Sequence, residues 1–294
     1  MNKLLLGALL TFLCTAVTPG QSSSSDWSGF YAGGSIGPSS DKVESSEVLQ
    51  INQVSVVNVP GRGLVVVPAT TRDFTASRRE TNWTGSGHAG YNWQAGKFVF
   101  GPEVDFSPFR RTVRIFQTFE LPPTVLTPVT TVEANRDIRV DAEFSFRARA
   151  GAAFGKTLIY GTGGYGLARV RVSANDSFTS PGGPGAPCSP TPCVTADVGP
   201  VGPVVTTAEE RQYIGGWVVG GGVERKLGDH VSIGFEYRHT DFPAKTFTLS
   251  DQTTTNTGPD PIGGGAGSHG GVVPGPTRVS LSSDSFVARF SFHF

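Results

Sequence analysis

The chain has 294 residues, a formal net charge of zero, 39 glycines, 21 prolines, 20 phenylalanines and one methionine. Zero net charge gives no bulk attraction to nucleic acid. Abundant glycine, proline and phenylalanine favour strands and turns over helices.

Residues 1–20 read as a signal peptide. Lys3 precedes the apolar run Leu4–Leu13, and Ala16, Pro19 and Gly20 follow it. The run is too short to span a bilayer, so cleavage is expected rather than anchoring. Cys14 follows a poor lipobox, Thr11-Phe12-Leu13, which makes a lipoprotein the minor alternative. No later segment reaches the roughly 18 unbroken apolar residues of a membrane helix. Residues 21–26 form a Ser-rich linker.

Residues 26–37, DWSGFYAGGSIG, mix aromatics with glycines as a strand at a membrane interface does. Residues 38–80 lose the pattern and read as a long loop, with room for strand extensions at its base. In 81–94, Trp83, Gly85, Gly87, Ala89, Tyr91 and Trp93 alternate with Asn82, Thr84, Ser86, His88, Gly90 and Asn92. Side chains alternate faces along a strand, so one face is apolar and the other polar. Ala95–Gly96 turns the chain. Phe98, Phe100, Pro102, Val104 and Phe106 then oppose Glu103, Asp105 and Ser107, with a bulge expected at Pro102.

A second loop is read over 111–135, where Pro122, Pro123 and Pro128 fall. In the next strand, about 136–154, Ile138, Val140, Ala142, Phe144, Phe146, Ala148 and Ala150 point one way. Arg139, Asp141, Glu143, Ser145, Arg147 and Arg149 point the other. After the turn Gly155–Lys156, Leu158, Tyr160, Ala168, Val170 and Val172 are assigned outward, with Arg169 and Arg171 inward. Residues 175–210 are a third loop holding Cys188 and Cys193. An even cysteine pair in an exported chain reads as a disulfide; free thiols and metal ligands are the other readings. Tyr213, Trp217, Val219 and Val223 oppose Glu224. After Leu227–Asp229, Val231, Ile233, Phe235 and Tyr237 oppose Ser232, Gly234, Glu236 and Arg238. Residues 250–276 are the fourth loop. The last strand puts Phe286, Ala288, Phe290, Phe292 and Phe294 opposite Ser285, Val287, Arg289, Ser291 and His293.

Eight strands with short and long connections in alternation make an all-β chain. The expected fold is an antiparallel up-and-down transmembrane barrel over residues 27–294, with short periplasmic turns and four long extracellular loops. The expected lumen charge network is Glu103, Asp105, Arg139, Asp141, Glu143, Arg147, Arg149, Arg169, Arg171, Glu224, Glu236, Arg238 and Arg289. An eight-stranded lumen is only wide enough for side chains, so these groups are expected to pair and close it. The runner-up is a narrow porin passing small ions or solutes between the same charges. A barrel enzyme, using Ser86 and His88 with Glu103 or Asp105, is a remote third. No cofactor, metal site or catalytic motif is expected. The glycine clusters at 163–166 and 220–222 are strand glycines, since no helix signal follows them. Arg72, Arg78 and Arg79, and Arg110, Arg111 and Arg114, are read as loop bases near the rim, within reach of anionic lipid phosphates.

Three stretches carry a resemblance: DWSGFYAGGSIG at 26–37, GYNWQ with GPEVDFS at 90–107, and FVARFSFHF at 286–294. They resemble the small outer-membrane barrels of alphaproteobacteria, the immunogenic proteins of the twenty-five and thirty-one kilodalton classes. The resemblance implies a surface protein in the bacterial outer membrane; a monomer is expected, although the sequence does not reveal the oligomeric state. The resemblance also implies outer-membrane lipid as surroundings, recognition of Phe294 by the barrel-assembly machinery, envelope support and host contact through loops. Some members have been proposed to bind haem. The loops here depart from the family, so loop-borne binding does not carry over.

Overall fold

Two-residue alternation of buried and exposed side chains runs through nearly every segment of the computed structural model. It describes residues 26–52, 56–59, 63–66, 70–121, 129–180, 183–184, 197–198, 201–249, 252–256 and 271–294. The signal region, Cys188 and Cys193 lie outside the described residues.

Among the described residues eight long strands build the sheet. They are β1 (Gly29–Asn52), β2 (Thr70–Ala95), β3 (Phe98–Ser107), β4 (Thr130–Phe154), β5 (Thr157–Ser180), β6 (Val201–Lys226), β7 (Val231–Phe247) and β8 (Thr277–His293). Each pairs antiparallel with its sequence neighbour. β8 also pairs with β1, from Tyr31↔His293 to Ser46↔Arg278, which closes the ring. After a break at Ser107 the β3 path resumes as Arg111–Leu121, still paired with β4. Two of the short turns place Gly96 and Gly155 at φ of 60° and 58°, where a side chain would be strained. At Pro102 the β2–β3 ladder skips from Gly90↔Glu103 to Trp93↔Phe100 with the register unchanged. The missing proline N–H is thus met by a gap in pairing instead of the expected bulge.

The strands are longer than a membrane needs. β2 and β6 have 26 residues each, whereas about 9–11 cross a bilayer at a tilt. Much of what reads as loop in the sequence is therefore strand: 38–52, 70–80, 111–121, 130–135, 175–180 and 201–210.

This extra length divides the barrel into two zones. Near the short-turn rim the outer wall is aromatic. Phe30, Trp83, Phe100, Phe106, Phe146, Tyr165, Trp217, Phe235 and Phe290 are all exposed there. Nearer the long connections the polarity inverts. Val43, Leu49, Phe74, Val113, Ile138, Val170, Val172, Phe178, Phe242 and Phe247 pack together inside. Lys42, Glu44, Arg79, Arg114 and Glu133 stand outside. The first zone is built for lipid around it, the second for water.

The inversion overturns part of the expected facing. Ala168, Val170 and Val172 point inward, as do Leu158 and Tyr160, while Arg169 stands exposed outside. In β4 the register with β5 shifts between Val140 and Ala142. The extra residue, Asp141, exchanges the faces. Ile138 and Val140 are buried before it, Glu143, Ser145, Arg147 and Arg149 after it.

Placing a cation on the aromatic wall checks the zone boundary. Phe235 stacks on Phe286 at 5.8 Å in the middle of the belt. Phe235→Arg is expected to lower the folding free energy in vesicles by about 2–4 kcal/mol. Thr118→Arg, on the outer wall of the upper zone, should change it by less than about 0.5 kcal/mol. Urea titration of folding into vesicles measures both.

Candidate functional site: the lumen

The interior of the lower zone is held by a ring of alternating charge. Arg147 contributes from β4, Glu103 from β3, Arg289 from β8 and Glu236 from β7. Arg147 bridges Glu103 at 2.5 Å and Glu236 at 2.7 Å. Arg289 bridges Glu103 at 2.6 Å and Glu236 at 2.5 Å. Each carboxylate therefore serves both guanidinium groups, and each guanidinium both carboxylates. All four side chains are fully buried. The tyrosines Tyr31 and Tyr160 donate to Glu103 and Glu236 at 2.8 and 2.9 Å.

Further pairs flank the ring. Arg238 donates to both oxygens of Asp105 at 3.0 and 3.1 Å. Arg149 pairs with Glu224 and lies 3.7 Å over the Tyr160 ring. Four arginines thus answer four carboxylates at this level, Glu103, Asp105, Glu224 and Glu236. Toward the short-turn rim Trp27 is buried, edge-on to His293 at 5.5 Å, with the Lys226 ammonium 5.1 Å over its ring. Trp27, Val99, Leu158 and Tyr160 form a small apolar floor.

Two more buried clusters lie higher. Arg111 donates to Asp41 at 2.9 Å and Ser283 at 3.0 Å, and pairs with Glu143. Arg136 holds Glu47 and Asp176, with Thr277 donating to Glu47. Burial pushes the Glu47 and Asp176 carboxyls above their ordinary values, and Arg136 pulls each partly back. Two carboxylates share one arginine in each of these clusters.

Of the expected network, the structure brings Glu103, Asp105, Glu143, Arg147, Arg149, Glu224, Glu236, Arg238 and Arg289 into the interior. Arg139, Asp141, Arg169 and Arg171 belong to the outer wall, because the Asp141 bulge and the inverted upper zone exchange the faces. Arg111, read as a rim base, is buried inside. Asp41, Glu47, Arg136 and Asp176 were missed, since they fall in spans read as loop or at a strand start. The alternation of Val132, Ala134, Arg136, Ile138 and Val140 with polar residues was the available signal. Ser86 donates to Asp105 at 2.7 Å, while His88 Nε2 pairs with Ser291 Oγ at 3.0 Å. The two residues thus enter separate networks. Phe294 is exposed, its N–H bonded to the Phe30 carbonyl at 2.9 Å.

The profile of the outer membrane protein beta-barrel domain matches residues 6–258. A 22 kDa outer membrane protein of Rhizobium leguminosarum bv. viciae is 24% identical over 177 residues, 60% of this chain and 61% of that protein. The outer membrane protease OmpT of Escherichia coli matches 95% of this chain and all of its own, with 7% identity and a TM-score of 0.40. Ail, the attachment invasion locus protein of Yersinia pestis, matches 87% of this chain and 99% of its own, with 12% identity and a TM-score of 0.25. At such scores neither structure bears on what this chain does.

Breaking the ring tests the lumen. Arg289→Leu leaves Glu103 and Glu236 each short of a buried cation and is expected to cost about 3–5 kcal/mol. Arg139→Leu, whose partner Asp141 faces the outer wall, should cost no more than about 1 kcal/mol. Denaturant midpoints of the two variants against the unmodified protein give the comparison.

Proposed function

Because this chain belongs to the outer membrane protein beta-barrel domain family and resides in the bacterial outer membrane, we propose that it is a closed, non-catalytic barrel. Its work is to brace the envelope and to hold a rigid extension and its connections above the outer leaflet, for contact with a host or the surroundings. The observation that carries this reading is the filled interior. The Trp27 floor, the Glu103–Arg147–Glu236–Arg289 ring and the apolar core of the upper zone follow one another along the barrel axis. A diffusing solute would have to displace paired charges and then cross a packed hydrocarbon interior. Ser86 and His88 sit in separate hydrogen-bond networks, which supports a role without hydrolytic chemistry.

The short-turn rim is the periplasmic one in this reading, as in other outer-membrane barrels. The aromatic strand β8, ending in Phe294, is what the assembly machinery would recognise. In the membrane-crossing zone the strands close on themselves without a second copy, and in this reading the protein acts as a monomer.

Planar-bilayer recording tests the proposal. The folded protein is expected to give no steady single-channel steps. Trp27→Gly should also stay silent, because the charged ring and the core above it still fill the lumen. Steady steps from the unmodified protein would replace the closed barrel with a narrow porin.

A further inference from the structure

Just above the aromatic belt, the outer wall is charged unevenly. On one flank Thr112, Arg139, Arg171 and Arg211 are successive Cα partners across Arg111–Leu121, β4, β5 and β6. Three guanidinium groups therefore stand side by side on adjacent strands. Arg169 lies one outward row below, opposite Tyr213, and Arg114 one row above, opposite Asp137. Like charges placed directly across strands destabilise a sheet. Here they are partly offset: Arg139 meets Asp141 at 2.8 Å, Arg171 meets Glu209 at 3.3 Å, Arg211 meets Glu209 at 2.7 Å, and Arg114 meets Asp137 at 3.5 Å. Five arginines face three carboxylates, so two positive charges are left over. On the opposite flank the outer wall carries Lys42, 2.6 Å from Glu44, Arg79, 3.7 Å from an Asp284 that also meets His239, and the exposed Arg278, opposite Ser46.

Height and chemistry narrow the occupant. Leu167 and Phe144 are the top of the belt on this flank. Arg169 and Arg171 follow Leu167 by two and four residues, which is roughly 5 and 10 Å along the membrane normal for a tilted strand. Polar headgroups occupy about 5–8 Å beyond the hydrocarbon. Tyr213, exposed beside Arg169, is an aromatic suited to that boundary. Lys245 donates to the Tyr213 carbonyl at the edge of the cluster, but the bases of the row itself are arginines, whose planar fork matches a phosphate in a way an ammonium does not. Thr112, Arg114, Arg139, Arg171 and Ser173 line a polar cleft of about 140 Å³, together with the carboxylates Asp137 and Glu209, which the arginines already meet. The buried Arg171 Nε has no hydrogen-bond partner among the described residues.

We propose that this flank binds the phosphate groups of the phosphorylated glycolipid of the outer leaflet. Arg139, Arg171 and Arg211 form the contact, and Arg114 and Arg169 flank it. The acyl chains of the same lipid lie against Phe144 and Leu167 below. Asp141 and Glu209 hold the guanidinium groups apart and aimed outward until the phosphate arrives.

The test uses the folded protein in detergent, with bisphosphorylated lipid A as the probe and native mass spectrometry or a fluorescence titration as the readout. The triple variant R139Q/R171Q/R211Q is expected to bind about tenfold more weakly or worse. The variant K42Q/R79Q/R278Q, which removes the same formal charge from the outer wall of the other flank, should stay within about twofold. Heat-modifiable gel migration reports whether each variant is folded. Should the triple variant fail to fold, Arg171→Lys keeps the charge but loses the fork, and is expected to bind about threefold more weakly. Undiminished binding by the folded triple variant, or by Arg171→Lys where that variant stands in for it, would overturn the proposal. So would an equal loss in the opposite-flank variant. Displacement of the lipid by an equal concentration of inorganic phosphate would reassign the cleft to a soluble anion and equally end the proposal.

Discussion

The four-membered ring of Glu103, Arg147, Glu236 and Arg289 is the constraint around which the barrel is arranged. Fully buried charges are tolerated only when each finds its complement. Here each acid touches both arginines, and two tyrosine hydroxyls take up further lone pairs. The members come from β3 and β4 on one wall and β7 and β8 on the other. The ring is therefore a brace across the lumen as well as a local contact. It also fixes register, because a one-residue slip in any contributing strand would turn its charge out into lipid.

Above the brace the wall changes solvent. The strands run on without a boundary in the backbone, but the apolar side chains move from the outside to the inside. Two strands make this exchange differently. In β4 the alternation slips by one residue at Asp141, so Ile138 and Arg147 can both point inward. In β5 the register with β6 is unshifted from Leu158 to Phe178. There the residues on each face change character instead: Tyr160 and Thr162 line the charged zone, and Val170, Val172 and Phe178 the apolar one.

This explains what could be read from the sequence. The facing of β2, β3, β7 and β8 was legible, because in those stretches apolar side chains meet lipid and polar ones meet the lumen, as Phe286 and Arg289 do. The same rule applied to β5 put Val170 and Arg171 on the wrong sides, since it assumes lipid along the whole strand. No residue in 136–154 announces the bulge; Asp141 continues a regular alternation in the sequence, and only the pairing with β5 reveals the slip. The upper strand segments were hidden for a different reason. Val113 and Ile115, or Val132, Ala134 and Arg136, alternate clearly, but the prolines at 122, 123 and 128 drew the whole interval into a loop. Arg111 was lost with it, and Arg136, at the very start of the next strand, was left without an inward assignment.

The exchange of polarity along the wall also sets where the molecule rests. A barrel with a uniform outer surface can ride higher or lower in its membrane at small cost. Here, sinking by one period of the alternation would press Arg169 against the hydrocarbon, with Arg171 next to follow, and rising by as much would lift Phe144 and Leu167 into the polar headgroups. Both displacements are opposed, so the sheet carries its own waterline. Whatever stands on the long-connection rim is thereby held at a constant height above the membrane.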